Sequence, residues 1–167
     1  LEQMGAAIER LDPREVGGEP VADLRIRHAP LNGIEVDSGI APSMIDEFPV
    51  LFVAAALAKG TTVTRGLEEL RVKESDRLAA MANALRVAGA RVEENEDGLT
   101  IEGSGGTPLA GGGIVATHLD HRIAMAFLVL GMASAGGMAI DDGAPIATSF
   151  PGFVDMMNGL GGEIRSG

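Results

Sequence analysis

The stretch Leu85-Arg86-Val87-Ala88-Gly89-Ala90-Arg91-Val92 decides the fold, because its pattern occurs three times in the chain. The other copies are Leu1-Glu2-Gln3-Met4-Gly5-Ala6-Ala7-Ile8 and Met157-Asn158-Gly159-Leu160-Gly161-Gly162-Glu163-Ile164. Each copy has apolar residues at its first, fourth and eighth positions and Gly at its fifth. This pattern predicts the end of a helix, a Gly in the left-handed conformation that stops the helix, and the start of a strand.

A second block occurs twice and predicts buried helices. Asp46 precedes an apolar run over residues 48–57, and Asp120 precedes another over residues 123–133. An Asp at the start of a helix accepts hydrogen bonds from its free N–H groups, so both residues are predicted to be caps. Both runs are apolar nearly all round, so we expect both helices to be buried.

The two patterns combine into a repeated βαβαββ unit. The complete copy, residues 33–103, is predicted to hold a strand (33–36), a helix (46–59), a strand (61–65), a helix (75–87) and two strands (91–94 and 99–102). The second copy covers residues 114–165 and stops before its last strand, and the third survives only as the tail 1–27. The chain is therefore predicted to be α/β (α+β), cut from a repeat-built domain and beginning within a structure.

Composition excludes several classes of function. The net charge is −11, with only 13 Lys and Arg among 167 residues, which argues against nonspecific nucleic-acid binding. No uninterrupted apolar run reaches the roughly 18 residues of a membrane span, and we expect no membrane association. The absence of Cys excludes disulfides and thiolate metal sites and fits a reducing compartment. The start of the chain lacks the pattern of a signal peptide.

Cationic side chains concentrate in the strings Arg71-Val72-Lys73-Glu74-Ser75-Asp76-Arg77 and Asp120-His121-Arg122. Guanidinium groups match the oxygens of phosphate and carboxylate two at a time, so these strings suit a small anion. Arg77 and Arg122 each lie near a predicted helix start, where a bound anion is favourable, and Ser75 is predicted to cap the first helix. The alternative is a set of surface ion pairs, which contribute little.

The histidines give a weaker signal. His121 is interpreted as either a proton carrier or a hydrogen-bonded core residue. His118 lies three residues earlier, but no carboxylate or Cys in the pattern completes a metal site, so no metal is expected.

Together these strings resemble the 5-enolpyruvylshikimate-3-phosphate (EPSP) synthase family. The resemblance rests on Asp46 with its buried helix, on the Arg-Val-Lys-Glu-Ser-Asp-Arg and Asp-His-Arg strings, and on Thr148-Ser149-Phe150-Pro151. It covers residues 1–164 in order. The segments 43–47 and 146–149 are similar to the bacterial subtype that tolerates glyphosate. Some members carry a Lys at or beside the position of Thr148, and this chain does not.

The resemblance implies a reaction. The enolpyruvyl group of phosphoenolpyruvate is transferred to the 5-hydroxyl of shikimate 3-phosphate, and phosphate is released. It also implies roles: Asp46 as base and shikimate 3-phosphate contact, Glu74 as acid, and Lys73 as a shikimate 3-phosphate contact that assists catalysis. Arg77 and Arg122 would bind phosphoenolpyruvate, and His121 would support the site. No cofactor or metal is implied.

The family's fold is a two-domain "inside-out" barrel with three βαβαββ units in each domain. On this resemblance, residues 1–167 are most of the second, C-terminal domain. The N-terminal domain would be the partner that completes the site, and the fragment alone is expected to be inactive. The full-length enzyme is expected to be a cytoplasmic monomer.

Two alternatives remain at this point. UDP-N-acetylglucosamine enolpyruvyl transferase shares the fold and an aspartate base, although the Lys-Glu-Ser-Asp-Arg string argues against it. A non-catalytic binding or scaffold domain of the same fold is the other alternative, and the intact Asp46, Glu74, Arg77 and Arg122 argue against that.

Overall fold

The structure, a computed structural model, describes residues 1–165. A 3-10 turn, Glu2–Met4, leads into an antiparallel hairpin of β1 (Ala7–Val16) and β2 (Glu19–Arg27). Most side chains of this hairpin are exposed to solvent. The hairpin therefore lies outside the buried core that the rest of the chain forms.

The next sheet has three strands in the order β3 (Lys59–Val63), β5 (Gly98–Ser104) and β4 (Arg91–Asn95). Both pairings are antiparallel. Asn95 pairs with Gly98, so the chain turns at residues 96 and 97. The two strands and the tight turn that the sequence predicts here are confirmed, with ends that differ by one or two residues.

The strand predicted at residues 33–36 is not a regular strand. Only two isolated parallel bridges form, from Asn32 to Lys59 and from Glu35 to Val63. The segment still runs beside β3, and Gly33 donates a hydrogen bond of 2.8 Å to the carbonyl of Lys59. A Cβ at Gly33 would lie 2.3 Å from the carbonyl oxygen of Thr61, so this close approach of two backbones requires Gly.

The first buried helix is shorter than predicted. The chain passes through a 3-10 turn (Ser38–Ile40), α1 (Ala41–Met44) and a second 3-10 turn (Ile45–Glu47) before α2 (Phe48–Leu57) begins. Helix α2 is buried nearly all round, as expected. Asp46 lies in the second 3-10 turn, and no side chain caps α2. The predicted cap is wrong because the Asp46 carboxylate bonds to arginines from other elements.

The second helix of this unit, α3 (Arg77–Val87), follows a 3-10 turn, Glu68–Val72. Asp76 caps it, since its Oδ1 accepts a hydrogen bond of 3.0 Å from the N–H of Ala79. The prediction that Ser75 is the cap is therefore wrong. The Ser75 hydroxyl bonds to a carboxylate from the second unit instead.

The second unit repeats the beginning of the first. β6 (Ile114–Val115) leads to α4 (His121–Met132) and then to β7 (Ala139–Ile140), which runs parallel to β6. Asp120 caps α4 as predicted, accepting hydrogen bonds from the N–H groups of Arg122 and Ile123. Two further helices follow, α5 (Ile146–Ser149) and α6 (Phe153–Gly159). Helices α2 and α4 pack against each other, which brings the starts of the two units together.

The three copies of the Gly pattern have the same conformation. Gly5, Gly89 and Gly161 have φ of 96°, 93° and 99°. The residue after each Gly donates a backbone hydrogen bond to the first residue of its copy: Ala6 to Leu1, Ala90 to Leu85, and Gly162 to Met157. The predicted helix ends are confirmed. A strand follows the first two copies, and none follows the third within the described residues 1–165.

One helical segment, Ser38–Leu57, is long and apolar enough to cross a membrane when only length and composition are considered. It spans 20 residues, and 44% of its most apolar 18-residue stretch is buried inside the fold. Asp46 and Glu47 interrupt its apolar sequence. Core helices of compact domains meet the same criterion, so the observation is weak evidence for a membrane span.

Candidate active site

The guanidinium of Arg77 is the centre of the cluster in which the two units meet. Arg77 is the first residue of α3, and only 1% of its side chain is exposed. A buried cation needs acceptors for its N–H groups and opposite charge nearby, because it has lost its hydration. Three carboxylates from three different segments meet this need.

These carboxylates approach different edges of the guanidinium plane. Asp120 Oδ2 accepts from Nε at 2.7 Å, and its Oδ1 lies 3.5 Å from Nη2. Asp46 Oδ1 accepts from Nη1 at 2.9 Å. Glu74 Oε2 accepts from Nη2. Asp46 and Asp120 lie 31 and 43 residues from Arg77 in sequence, and the fold brings them to one place.

The charges reinforce one another in this cluster. Burial lowers the pKa of Arg77, but the hydrogen bonds and the charges of Asp120, Glu74 and Asp46 outweigh burial and keep it above its ordinary value. Burial raises the pKa of Asp120, but its bonds to Arg77, Arg122 and Ser75 outweigh burial and hold it below the ordinary value. Both groups are therefore charged at neutral pH.

Asp120 has two functions at once. Its carboxylate caps α4 through the N–H of Arg122 at 2.9 Å, and it holds Arg77 of α3. It also accepts a hydrogen bond of 3.2 Å from the hydroxyl of Ser75. From the sequence, Asp120 and Ser75 are predicted only as helix caps, and neither is predicted as a member of the cluster. Asp120 and Ser75 lie in different cationic strings, and the sequence does not indicate that they contact each other or that Asp120 contacts Arg77.

The turn before Asp120 has an uncommon backbone. His118 and Leu119 have φ of 53° and 61°, in the left-handed region that residues other than Gly rarely adopt. Asp141 anchors this turn, since its Oδ1 accepts hydrogen bonds from the N–H (2.9 Å) and the hydroxyl (2.7 Å) of Thr117. The hydroxyl and N–H of Thr117 hold the pKa of Asp141 below its ordinary value, although slight desolvation opposes them. The turn therefore presents Asp120 to the cluster from a fixed position.

Arg122 forms the more open side of the cluster. Its Nη1 donates to the backbone carbonyl of Asp46 at 2.8 Å, and its Nη2 lies 3.5 Å from Asp46 Oδ2. About 31% of its side chain is exposed. A cavity of about 260 Å³ opens beside Asp46 and Arg122, and its other walls are mostly apolar. Its lining residues are Asp46, Glu47, Pro49, Val50, Arg122, Met125, Ala126, Val129 and Phe153.

Comparison with known proteins shows the family. A family model described as "EPSP synthase (3-phosphoshikimate 1-carboxyvinyltransferase)" matches residues 1–157. The chain belongs to the EPSP synthase family.

Relatives within the EPSP synthase family cover nearly all of this chain. A protein of Sphingopyxis alaskensis named "3-phosphoshikimate 1-carboxyvinyltransferase" is 65% identical over 160 residues, which are 96% of this chain and 36% of that protein. A protein of the same name from Novosphingobium aromaticivorans is 64% identical, with 94% of this chain and 36% of that protein covered. The chain thus spans little more than a third of the length of these relatives.

Solved structures agree with the predicted fold. An EPSP synthase from Acinetobacter baumannii superposes with a TM-score of 0.95 at 44% identity, covering 99% of this chain and 38% of that one. The enolpyruvyl transferase NikO from Streptomyces tendae superposes with a TM-score of 0.68 at 23% identity, covering 98% of this chain and 34% of that one. The prediction of an enolpyruvyl-transferase fold with mixed helices and strands is confirmed.

Of the site residues predicted for an EPSP synthase, the structure brings together Asp46, Glu74, Arg77 and Arg122. Lys73 follows the Glu68–Val72 turn, and its Nζ forms an ion pair with Glu69. The bond to Glu69, opposed by some desolvation, keeps the pKa of Lys73 above its ordinary value.

His121 is the first residue of α4 and is half-buried. No hydrogen bond of its ring occurs within the described part of the chain, so the hydrogen-bonded core interpretation gains no support. Within residues 1–165, no group of three His, Asp or Glu side chains is arranged to hold a metal ion.

The surface ion-pair alternative holds for Arg71 as well as for Lys73, which pairs with Glu69. Arg71 bonds to the carboxylates of Asp76 and Glu94 and to the backbone carbonyls of Asn95 and Glu96. These contacts tie the loop before α3 to the turn between β4 and β5. Arg71 is therefore a structural residue and lies outside the Arg77 cluster.

Proposed function

We propose that this chain is part of a 3-phosphoshikimate 1-carboxyvinyltransferase. The enzyme would transfer the enolpyruvyl group of phosphoenolpyruvate to the 5-hydroxyl of shikimate 3-phosphate and release phosphate. The observation that carries the proposal is the meeting of Asp46, Glu74, Arg77 and Arg122 in one cluster. It occurs in a chain 65% identical to a relative of that name.

The reaction needs an acid and a base in one site. In the addition step, the 5-hydroxyl oxygen bonds to C2 of phosphoenolpyruvate, its proton goes to a base, and C3 accepts a proton from an acid. In the elimination step, C3 returns a proton, the bond from C2 to the phosphate oxygen breaks, and the double bond reforms. Two carboxylates with different surroundings suit these tasks.

Asp46 and Glu74 are the proposed base and acid. Their side chains are 40% and 53% exposed, so a ligand can reach both while each is bonded to Arg77. Asp46 would also contact the hydroxyls of shikimate 3-phosphate. Lys73 would contact the same substrate in exchange for Glu69, and His121 would support the site from the start of α4.

Arg77 and Arg122 are the proposed contacts for phosphoenolpyruvate. Arg77 has five N–H groups, and four of them face Asp120, Asp46 or Glu74. The fifth, on Nη1, has no acceptor among residues 1–165. Arg122 is more exposed and offers its outer edge. A ligand anion therefore gains most from Arg122 and would compete with carboxylates for Arg77.

The charge of the cluster supports a further domain in the functional protein. Arg77 and Arg122 are surrounded by four carboxylates: Asp46, Glu47, Glu74 and Asp120. Both proposed substrates are anions, so the two arginines attract them while the four carboxylates repel them. We propose that the N-terminal domain, outside this chain, supplies the remaining cations.

The domain boundaries are part of the same proposal. Residues 1–167 would form most of the C-terminal domain, with repeat units at 1–27, 33–103 and 114–165. The full-length protein would be a cytoplasmic monomer, and the isolated chain would be inactive. Adding the remainder of the protein as a second polypeptide should restore phosphate release, and turnover by this chain alone would contradict the division.

The test is phosphate release by the full-length protein from phosphoenolpyruvate and shikimate 3-phosphate. Asp46→Asn should lower kcat by about 10²–10⁴-fold with a smaller change in KM, because it removes the base and keeps the shape. Asp155→Asn is the matched control, since Asp155 is an exposed carboxylate of α6. No release by the wild-type protein would overturn the proposed function. Release only with UDP-N-acetylglucosamine as acceptor would assign the other transferase.

A further inference from the structure

Asp120 joins the start of α3 to the start of α4 from a fully buried position. None of its side chain is exposed, although it carries a charge. Its two oxygens are divided between neighbours: Oδ1 accepts from the N–H groups of Arg122 and Ile123, while Oδ2 accepts from Arg77 Nε and the Ser75 hydroxyl. Burial of a charged group at this depth requires such a complete set of partners.

The contact with Asp120 sets the direction of the Arg77 guanidinium. The group is planar and rigid, so fixing its Nε edge also fixes where Nη1 and Nη2 point. With Nε held at 2.7 Å by Asp120, Nη1 reaches Asp46 at 2.9 Å and Nη2 reaches Glu74. One buried carboxylate thus determines the arrangement of two carboxylates that it does not touch.

Asp120 is itself held rigidly. It is the last residue of the left-handed turn at His118 and Leu119, and Asp141 anchors that turn through Thr117. The N-terminus of α4 holds the carboxylate from the other side. A backbone conformation that is costly for ordinary residues persists only where the surrounding contacts fix it, and such places are common at active sites.

We propose that Asp120 is a positioning residue for the transferase reaction, which holds Arg77 so that Asp46 and Glu74 face the reacting atoms at the right separation. The inference rests on the proposed function. It assigns Asp120 no contact with substrate, because its carboxylate is buried behind Arg77. Ser75 supports the same carboxylate with one hydrogen bond.

Asn is the informative substitution at position 120, because it cannot both cap α4 and accept the hydrogen bond from Arg77 Nε. If the Asn oxygen caps α4, its NH₂ group faces Arg77 Nε–H, and two donors meet. If the amide is reversed, its NH₂ group faces the N–H groups of Arg122 and Ile123. Asp120→Asn therefore preserves volume while it releases either Arg77 or the helix start.

The experiment uses the full-length enzyme. Asp120→Asn should lower kcat by about 100-fold, the effect of a displacement of about 1 Å in a positioned group. The pH–rate profile should shift as well, since the surroundings of Asp46 and Glu74 change. Leu130→Ala, a buried truncation on α4, controls for loss of stability and should lower Tm without moving the profile. Unchanged kcat and pH profile in folded Asp120→Asn would overturn the proposal.

A double-mutant cycle tests whether Asp120 acts through Arg77. In an Arg77→Lys background, Asp120→Asn should cause little further loss, because the group that it positions has already been replaced. If the double variant instead shows the product of the two separate losses in kcat, the proposal is overturned. If Asp120→Asn fails to fold, Ser75→Ala takes its place in the cycle with a smaller loss expected.

Crystal structures of the full-length wild type and the Asp120→Asn variant give a readout that does not depend on activity. The distance from Arg77 Nη1 to Asp46 should lengthen in the variant, and an unchanged distance would overturn the positioning role. If the wild type releases no phosphate, the proposed function fails, while this comparison still reports on the geometry.

Discussion

Arg122 Nη1 donates a hydrogen bond of 2.8 Å to the backbone carbonyl of Asp46, which lies 76 residues earlier in the chain. The same guanidinium approaches the Asp46 carboxylate at 3.5 Å. Arg122 therefore holds both the main chain and the side chain of the proposed base, and it joins the start of α4 to the turn that precedes α2.

Arg122→Ala should weaken the binding of phosphoenolpyruvate to the full-length enzyme. Loss of a charged hydrogen-bonding group costs about 1.5–3 kcal/mol, which corresponds to roughly 10- to 150-fold in affinity. Steady-state kinetics and equilibrium titration give the change in KM and Kd. Arg122→Lys should lie between the wild type and Ala, because Lys keeps the charge and loses the planar fork. Arg91→Ala, at an exposed ion pair, is the control, and an equal effect of both Ala variants would contradict the assignment.

Acid should destabilise the fold through Asp120 and Asp141. Both carboxyls have a pKa below the ordinary value in the folded protein. The unfolded chain therefore binds these protons first, near the ordinary Asp pKa of about 3.9, as the pH falls. Their contribution to stability is complete above that pH and is lost as the pH falls through the lower folded-state values. Tm measured from pH 7 to pH 3 should fall at the acid end, and a smaller fall should be seen in Asp141→Asn. A flat profile would contradict this.

Gly89→Ala should destabilise the protein through the backbone alone. The Cβ would meet only Ala110 at ordinary contact distance, 3.5 Å, but φ is +93°. The left-handed conformation costs an L-residue about 1–2 kcal/mol. Gly152→Ala is the matched control, with φ of −93° and nothing within 4 Å of the added Cβ. Urea unfolding of both variants gives the comparison, and equal free energies of unfolding would show that the helix end tolerates a side chain.

Arg71→Ala should lower stability and leave the KM values of folded enzyme unchanged. It removes bonds to the carbonyls of Asn95 (2.7 Å) and Glu96 (2.8 Å) and to two carboxylates, at a cost of about 1–3 kcal/mol. Thermal unfolding and substrate kinetics measured on one preparation separate the two effects. Arg77→Ala, measured in parallel, should impair both. A large rise in either KM for Arg71→Ala would place Arg71 in the site after all.

The fold was largely predictable because its signals are local. Gly89 and its two counterparts end helices through their own backbone conformation, and α2 shows its burial in a run of apolar residues. Residues 33–36 were harder to predict, since their pairing depends on how closely β3 can approach. The start of α2 was missed for a related reason, because Asp46 has partners that lie elsewhere in the fold.

The candidate site was less predictable than the fold. The residue types in the two cationic strings indicated an anion, and the resemblance to a family supplied the roles of Asp46 and Glu74. That Arg77 is buried and Arg71 is not cannot be read from their spacing, since both lie in one string of seven residues. The role of Asp120 depends on contacts between residues more than 40 positions apart, which no local pattern encodes.

The sharing of Arg77 has an electrical consequence. Asp46 and Glu74 bond to two nitrogens of one delocalised cation, so the charge on either carboxylate alters how strongly the cation attracts the other. Arg77 therefore links the positions of the two carboxylates, so a ligand that displaces one of them also changes the surroundings of the other.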